Sequence, residues 1–233
     1  MKKKLFTVLG LMSGTSMDGV DLSLIKSDGD REFTCISNNY VEFDPDLQKE
    51  LISIRKKLNN HIDLDKYSDE LIEIEREYTL FNIKLIDQFL KKNKNHVDLI
   101  GFHGQTIFHD PDRKITKQLG DGKLISQITK KIVINDFRQN DLINGGQGAP
   151  LSPIFHRLIS IELNKKYNFD FPINIINIGG ITNITQIKNN SNSIESCLSA
   201  LDIGPGNCLI DEWIRNNSKK KIDEQGLIAK NGM

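Results

Sequence analysis

An excess charge of either sign is missing from this sequence. Across 233 residues, Lys and Arg number 31 and Asp and Glu number 31. That balance removes the long-range field that draws a chain to nucleic acid or to an anionic membrane. Cysteine is scarce: Cys35, Cys197 and Cys208 form no C-x-x-C pair and leave an odd one over. The pattern speaks against a cysteine metal centre and for free thiols in a reducing, cytoplasmic compartment. Long apolar runs are lacking too. The basic start Met1-Lys2-Lys3-Lys4 is followed by a short apolar stretch broken at Gly10 and Ser13, so neither a signal peptide nor a membrane span is expected. Hydrophobic residues make up only 38%, but apolar periodicity is strong, and Ile, Lys and Asn are heavily used. The chain reads as folded, and long enough for one large domain or two small lobes.

What is present is led by a glycine-rich turn, Gly10 to Asp21, set between the apolar runs Leu5–Leu11 and Val20–Ile25. It reads as a hairpin whose tip offers backbone N–H groups, hydroxyls and two carboxylates. Such a tip suits a phosphate chain with its Mg²⁺, with amides and hydroxyls on the oxygens and a carboxylate toward the metal. An ordinary β-turn uses the same residue types. The spacing after Gly14 is not that of a P-loop.

Further along, Glu32–Phe43 reads as a strand, and Asp44-Pro45-Asp46 as the cap and first turn of a helix to Leu58. A longer helix is expected from about Leu64 to Lys94. Tyr67, Leu71, Ile74, Tyr78, Phe81, Leu85 and Phe89 recur there every three or four residues and give one apolar face for a sheet. Val97–Phe102 reads as a short strand leading into a His103–Thr106 loop, Asp121–Lys131 as a helix and Ile132–Asn135 as a strand. Leu151–Leu163 reads as a helix after the Gly145–Pro150 loop, with 164–172 linker-like. A second strand–glycine turn–strand unit follows at Ile173–Ile178, Gly179-Gly180 and Ile181–Ile187. After a polar loop, Asn189–Ser193, come a strand at Ile194–Leu201, a turn at Asp202–Asn207, and a helix at Cys208–Asn216; the last residues suggest no packed element. The repeated glycine hairpin suggests an internal duplication within an α/β protein of mixed sheets.

Six segments taken together are similar to the anhydro-N-acetylmuramic acid kinase family: Ser13–Asp21, Gly101–Thr106, Asp136–Arg138, Gly145–Leu151, Asn177–Asn183 and Asp202–Asn207. The resemblance implies an actin-like ATPase (ribonuclease H-like) fold of two lobes with mixed sheets. The lobes would be 1–168 and 169–233, the second incomplete, and ATP would lie in the cleft between them. It implies cofactor contacts at Gly14, Thr15, Ser16, Met17, Asp18, Gly19, Val20 and Asp21, with Gly179 and Gly180 as a second phosphate turn. Mg²⁺ would be held by Asp18 or Asp21, which the sequence does not rank. Sugar contacts would fall on His103, Gln105, Thr106 and Arg138. The partners implied are ATP and a small amino sugar, without nucleic acid or membrane; a homodimer is admissible.

The implied reaction opens the anhydro bridge of 1,6-anhydro-N-acetylmuramic acid with water and phosphorylates O6, in cell-wall recycling. Phosphoryl transfer asks mainly for positioning and charge neutralisation. Bridge opening needs water driven onto the anomeric carbon, as in an inverting glycosidase, but the γ-phosphoryl group can capture the leaving O6, so one carboxylate suffices. The resemblance assigns that base to Asp202. Each assignment has a plainer alternative. Asp202 could cap the helix after Gly206, His103 could be a core histidine, and Arg138 could pair with Asp136 or Asp141 instead of a lactyl carboxylate. His109, His156 and Trp213 sit in no motif. The family pattern continues past this chain with an adenosine-binding glycine motif. A truncated, non-catalytic sugar- or muropeptide-binding module is therefore the alternative to a kinase.

Overall fold

Alternating apolar residues set the first hairpin. The computed structural model describes residues 4–189 and 194–232, beginning with β1 (Phe6–Ser13), β2 (Gly19–Ser27) and β3 (Phe33–Glu42). The antiparallel register places Leu9 opposite Leu24 and Leu11 opposite Leu22. All four are buried on one face, as the two-residue period of a strand requires.

That face is covered by helices. α1 (Pro45–Lys57) begins with proline in the first turn, and Leu47, Leu51 and Ile54 are its buried stripe. Asp44 stands at the cap position but makes no side-chain cap bond, unlike the expectation. The helix expected over 64–94 is two, α2 (Ile62–Lys66) and α3 (Ser68–Lys92), separated where Tyr67 leaves helical geometry (φ −108°, ψ 23°). Leu71, Ile74, Tyr78, Leu85 and Phe89 of the expected stripe are buried in the core, and Tyr67 and Phe81 pack against it.

The strand expected to end at Phe102 continues instead. β4 (Leu99–Asp110) runs straight through His103–Thr106. Its first half pairs in parallel with β1 and with β6 (Ile132–Ile134), and its second half is antiparallel to β5 (Ile115–Leu119). Gly104 makes the continuation possible: its φ is +77°, and a Cβ there would collide with the Leu119 carbonyl. The sheet order is β3-β2-β1-β4-β5, with β6 on β4. Between β5 and β6 lies α4 (Gly122–Thr129), capped by the Asp121 carboxylate on the Leu124 amide at 2.9 Å. A short helix absent from the sequence reading, α5 (Gln139–Ile143), follows β6.

The chain divides into two compact units, Met1–Ala149 and Pro150–Met233. The division falls before α6 (Ser152–Tyr167), which runs four residues past its expected end and packs on the second sheet. That sheet is β7 (Ile173–Ile178), β8 (Ile181–Ile187) and β9 (Leu198–Pro205), antiparallel in that order. Of the expected loop Asn189–Ser193, residues 190–193 lie outside the described residues. The strand expected from Ile194 begins with the helical turn α7 (Ile194–Cys197), and β9 extends through Asp202, where a turn was expected. α8 (Cys208–Asn217) and the short α9 (Leu227–Asn231) follow. Asp223 caps α9 through the Ile228 and Ala229 amides, an element the sequence reading did not anticipate. Each unit thus contains a three-strand antiparallel meander with a glycine turn, β1–β2–β3 and β7–β8–β9.

Leu51 is wholly inaccessible within the first core. Leu51→Ala is expected to lower unfolding free energy by about 2–5 kcal/mol, read from urea unfolding at unchanged slope.

Candidate functional site

The tip of the first hairpin is a turn closed by the Met17 amide on the Gly14 carbonyl at 3.2 Å. Met17 sits at φ +54° with its side chain buried, and its carbonyl accepts from Gln48 Nε2 at 2.9 Å. Gly19 and Val20 are buried as well, and a Cβ on Gly19 would meet the Val41 carbonyl and the Tyr40 ring. Of the eight residues expected to touch a cofactor, these three therefore form the foundation of the turn. Thr15, Ser16, Asp18 and Asp21 are exposed, with Gly14 between the two sets.

Gln105 fixes this tip from β4. It is fully buried, accepts from Ser13 Oγ at 2.6 Å through Oε1, and donates Nε2 to the Gly14 carbonyl at 3.0 Å. The Tyr78 hydroxyl, below on α3, engages Ser13 and Asn82, and burial keeps that phenol well above its ordinary pKa. Gln105 is thus a bracket for the turn, not an open sugar contact. Thr106 is half-buried, and its hydroxyl accepts from Gln118 Nε2 at 3.3 Å.

The two carboxylates are close enough to interact. Burial and the neighbouring Asp18 both raise the Asp21 pKa, while Asp18 Oδ1 accepts from Ser16 Oγ at 2.8 Å. Two hard oxygen donors with uncompensated repulsion match what Mg²⁺ takes from a protein when phosphate and water complete its shell. Among the described residues there is no cluster of three or more metal-ligating side chains.

Two residues before Gln105 on the same strand, His103 forms a second constellation. Its ring is nearly buried, at 8% exposure. Nδ1 lies 2.7 Å from the Gly104 carbonyl, while Nε2 receives Arg138 Nε at 3.1 Å and Nη2 at 2.8 Å. A carbonyl only accepts and a guanidinium only donates, so the ring is neutral with its proton on Nδ1. Burial and then Arg138 hold its pKa below the ordinary value. Arg138 Nη1 also donates to the Gly148 carbonyl at 2.6 Å, while Asp141 Oδ2 accepts from the Gly148 amide at 2.7 Å. Arg138 pairs with neither Asp136 nor Asp141: among the described residues it has no carboxylate partner.

A cavity of about 260 Å³ lies beside His103, walled by Glu75, Phe102, Gln118, Asn135, Asp136 and Gln139, with the Glu75–Lys117 ion pair (2.9 Å) on one side. Gln48 was not singled out from the sequence; Tyr78 was expected only as part of the apolar stripe, and Asp141 only as a partner of Arg138. The placement of Asp141 beside Arg138 was legible, since Arg-x-x-Asp on a helix puts both side chains on one face.

In the second unit, the carbonyl of Gly180 accepts from the amides of Gly206 (2.9 Å) and Cys208 (3.4 Å), and that of Gly179 from Asn207 (2.7 Å). A Cβ on Gly206 would strike the Gly179 carbonyl. The segment entering α8 and the first amide of that helix are thereby tied to the second glycine turn. Asp202 pairs with Asn183 in the β8–β9 ladder, and its exposed side chain caps no helix and takes no partner among the described residues.

The family described as anhydro-N-acetylmuramic acid kinase matches residues 6–233. The chain belongs to this family. It is similar to the anhydro-N-acetylmuramic acid kinase of Pelagibacter ubique, 48% identical over 232 residues that cover 99% of this chain and 60% of that protein. It also resembles those of Agrobacterium fabrum (39% identical; 97% and 60% covered) and Rhodopseudomonas palustris strain CGA009 (37%; 98% and 61%). The chain therefore spans about 60% of the length of these curated relatives. Its six-stranded mixed sheet and covering helices are consistent with the actin-like ATPase fold expected of an anhydro-N-acetylmuramic acid kinase family member, although the second sheet, expected to be mixed, is antiparallel throughout. No helix among the described residues is long and apolar enough to cross a membrane.

Gln105→Leu removes the two buried hydrogen bonds that tie the Ser13 hydroxyl and the Gly14 carbonyl to β4, each of which keeps another partner, and is expected to cost about 1–3 kcal/mol, measured by chemical unfolding. Burial lowers the pKa of His103, His109 and His156. The unfolded chain then binds protons first, so stability should be retained above about pH 6.5 and fall as pH drops below it. Unfolding midpoints at pH 7.5 and 5.5 check the sign.

Proposed function

We propose that the chain carries the phosphate- and sugar-handling part of an ATP-dependent kinase acting on 1,6-anhydro-N-acetylmuramic acid. The observation that supports this best is the state of Asp202. It is an exposed carboxylate with no hydrogen bond or ion pair among the described residues, on the strand that leads into Gly206 and α8. A carboxylate without competing partners is suited to accept a proton from water.

In this reading Asp202 draws a proton from water as the water oxygen bonds to the anomeric carbon. The C1–O6 bond breaks, and O6 takes the γ-phosphoryl group with release of ADP. The products are N-acetylmuramic acid 6-phosphate, ADP and the proton left on Asp202. Thr15 and Ser16 present amides and hydroxyls to phosphate oxygens, on a turn fixed by Gln105 and Gln48. Gly179-Gly180 forms a second glycine turn, whose carbonyls are already engaged by α8. Asp18 and Asp21 would hold Mg²⁺, which neutralises phosphate charge when bound. Arg138 meets the lactyl carboxylate end-on, since the guanidinium has five N–H donors and three are engaged. Such a reaction takes place in the cytoplasm, in the recycling of cell-wall amino sugars.

Calorimetric titration with 1,6-anhydro-N-acetylmuramic acid, with and without ATP and Mg²⁺, tests this. Tighter sugar binding in the presence of nucleotide is expected. Sugar binding indifferent to nucleotide, with no ADP released, would instead support a non-catalytic sugar-binding module. Asp202→Asn should lower ADP release about 10²–10⁴-fold while leaving sugar affinity nearly unchanged. Undiminished turnover in that variant would remove Asp202 as the base.

A further inference from the structure

The geometry points to His103 as a positioning residue: its neutral Nδ1–H tautomer holds the Arg138 guanidinium so that its two remaining N–H donors form a fork for an anionic carboxylate. The carboxylate part rests on the sugar-kinase reading above; the coupling between His103 and Arg138 does not.

Three features carry the inference. First, both ring nitrogens of His103 are engaged, one by the Gly104 carbonyl and the other by two donors of Arg138. The ring has no free nitrogen with which to touch a ligand. Second, the partners fix its protonation. An imidazolium would turn an N–H toward the guanidinium, exchanging a hydrogen bond for the repulsion of two cations. Third, Arg138 is half-buried, has no carboxylate partner among the described residues, and is braced on its other side by the Gly148 carbonyl. One N–H donor is left over on each terminal nitrogen, and a carboxylate can take such a pair side by side.

From β4, His109 lies close enough that Arg138 depresses its pKa. From α5, the Asp141 carboxylate is occupied by the Gly148 amide. Across the cavity, Glu75 from α3 is paired with Lys117 from β5, and Asp136 stands exposed at the cavity wall. None of these supplies a hydrogen bond to the imidazole, so protonating it has no local compensation. Acidification should then release Arg138 while the ligand carboxylate, with a pKa of about 3.5, stays ionised.

Two ligands isolate the effect: 1,6-anhydro-N-acetylmuramic acid and 1,6-anhydro-N-acetylglucosamine, which lacks the lactyl carboxylate. By calorimetry, the wild-type chain should lose affinity for the acid between pH 7.5 and 5.5, by less than about 10-fold because His103 titrates below its ordinary value, and none for the neutral sugar. His103→Gln offers an acceptor oxygen that cannot be protonated, so it should keep the affinity and flatten the pH profile. His103→Leu should weaken binding of the acid at both pH values. A His103→Leu protein with wild-type affinity and wild-type pH profile would overturn the proposal.

If neither sugar binds at any pH, the sugar reading fails, and the coupling is still measurable in the ligand-free protein. Nitrogen-15 NMR, with the His103 signals assigned by their loss in His103→Gln, should show the proton on Nδ1. Arg138→Met should raise the His103 titration midpoint. A proton on Nε2, or a midpoint unmoved by Arg138→Met, overturns the positioning role itself.

Discussion

The buried amide of Gln105 is the interaction on which the first unit depends. A glycine turn has little side-chain surface with which to hold its own shape, and the exposed groups at its tip are useful only if their spacing is fixed. Gln105 supplies the fixation by accepting from Ser13 and donating to Gly14, in an interior where an unpaired amide would be costly. The Tyr78 hydroxyl extends the network to α3, so the apolar stripe of that helix and the polar tip of the hairpin are parts of one assembly. Neighbouring polar groups are held by neighbouring buried ones, with no disulfide among the described residues.

The same strand sets the electrostatics next door. His103 and Gln105 flank Gly104, whose left-handed conformation accompanies a carbonyl within reach of the His103 ring. A half-buried guanidinium is ordinarily matched by a carboxylate. Here it is matched by a neutral ring and one backbone carbonyl, while the acid on α5, Asp141, grips the Gly148 amide. The positive charge is thus oriented without being cancelled, a state that favours an incoming anion over a permanent one.

Much of the architecture was legible in side-chain periodicity. The first hairpin and the α3 stripe follow from alternation and from three-and-four spacing, because burial of one face decides them; β3 and β7 were legible as apolar runs beside turn residues although neither buries a residue. What escaped was decided by backbone conformation or by distant partners. His103–Thr106 read as a loop because glycine breaks a strand pattern, whereas here Gly104 carries β4 past the Leu119 carbonyl. The resemblance implied Gln105 as a sugar contact at a strand end; its bond to Ser13, 92 positions away in sequence, gives no local signal. Tyr67 read as part of a continuous stripe, and it is still on the apolar face, yet its backbone divides α2 from α3. Asp44 had the right residue type for a cap, but the start of α1 forms without its side chain.

Gly148 is gripped at both of its peptide groups from a single helical turn, its amide by Asp141 and its carbonyl by Arg138. Such a double hold removes slack between α5 and the loop from Gly145 to Ala149, the residue at which the first unit ends. Tension applied to the guanidinium is therefore delivered to the main chain at Gly148 without first being absorbed by a hinge. Any displacement of the Arg138 side chain would have to break, or carry with it, a main-chain hydrogen bond at Gly148.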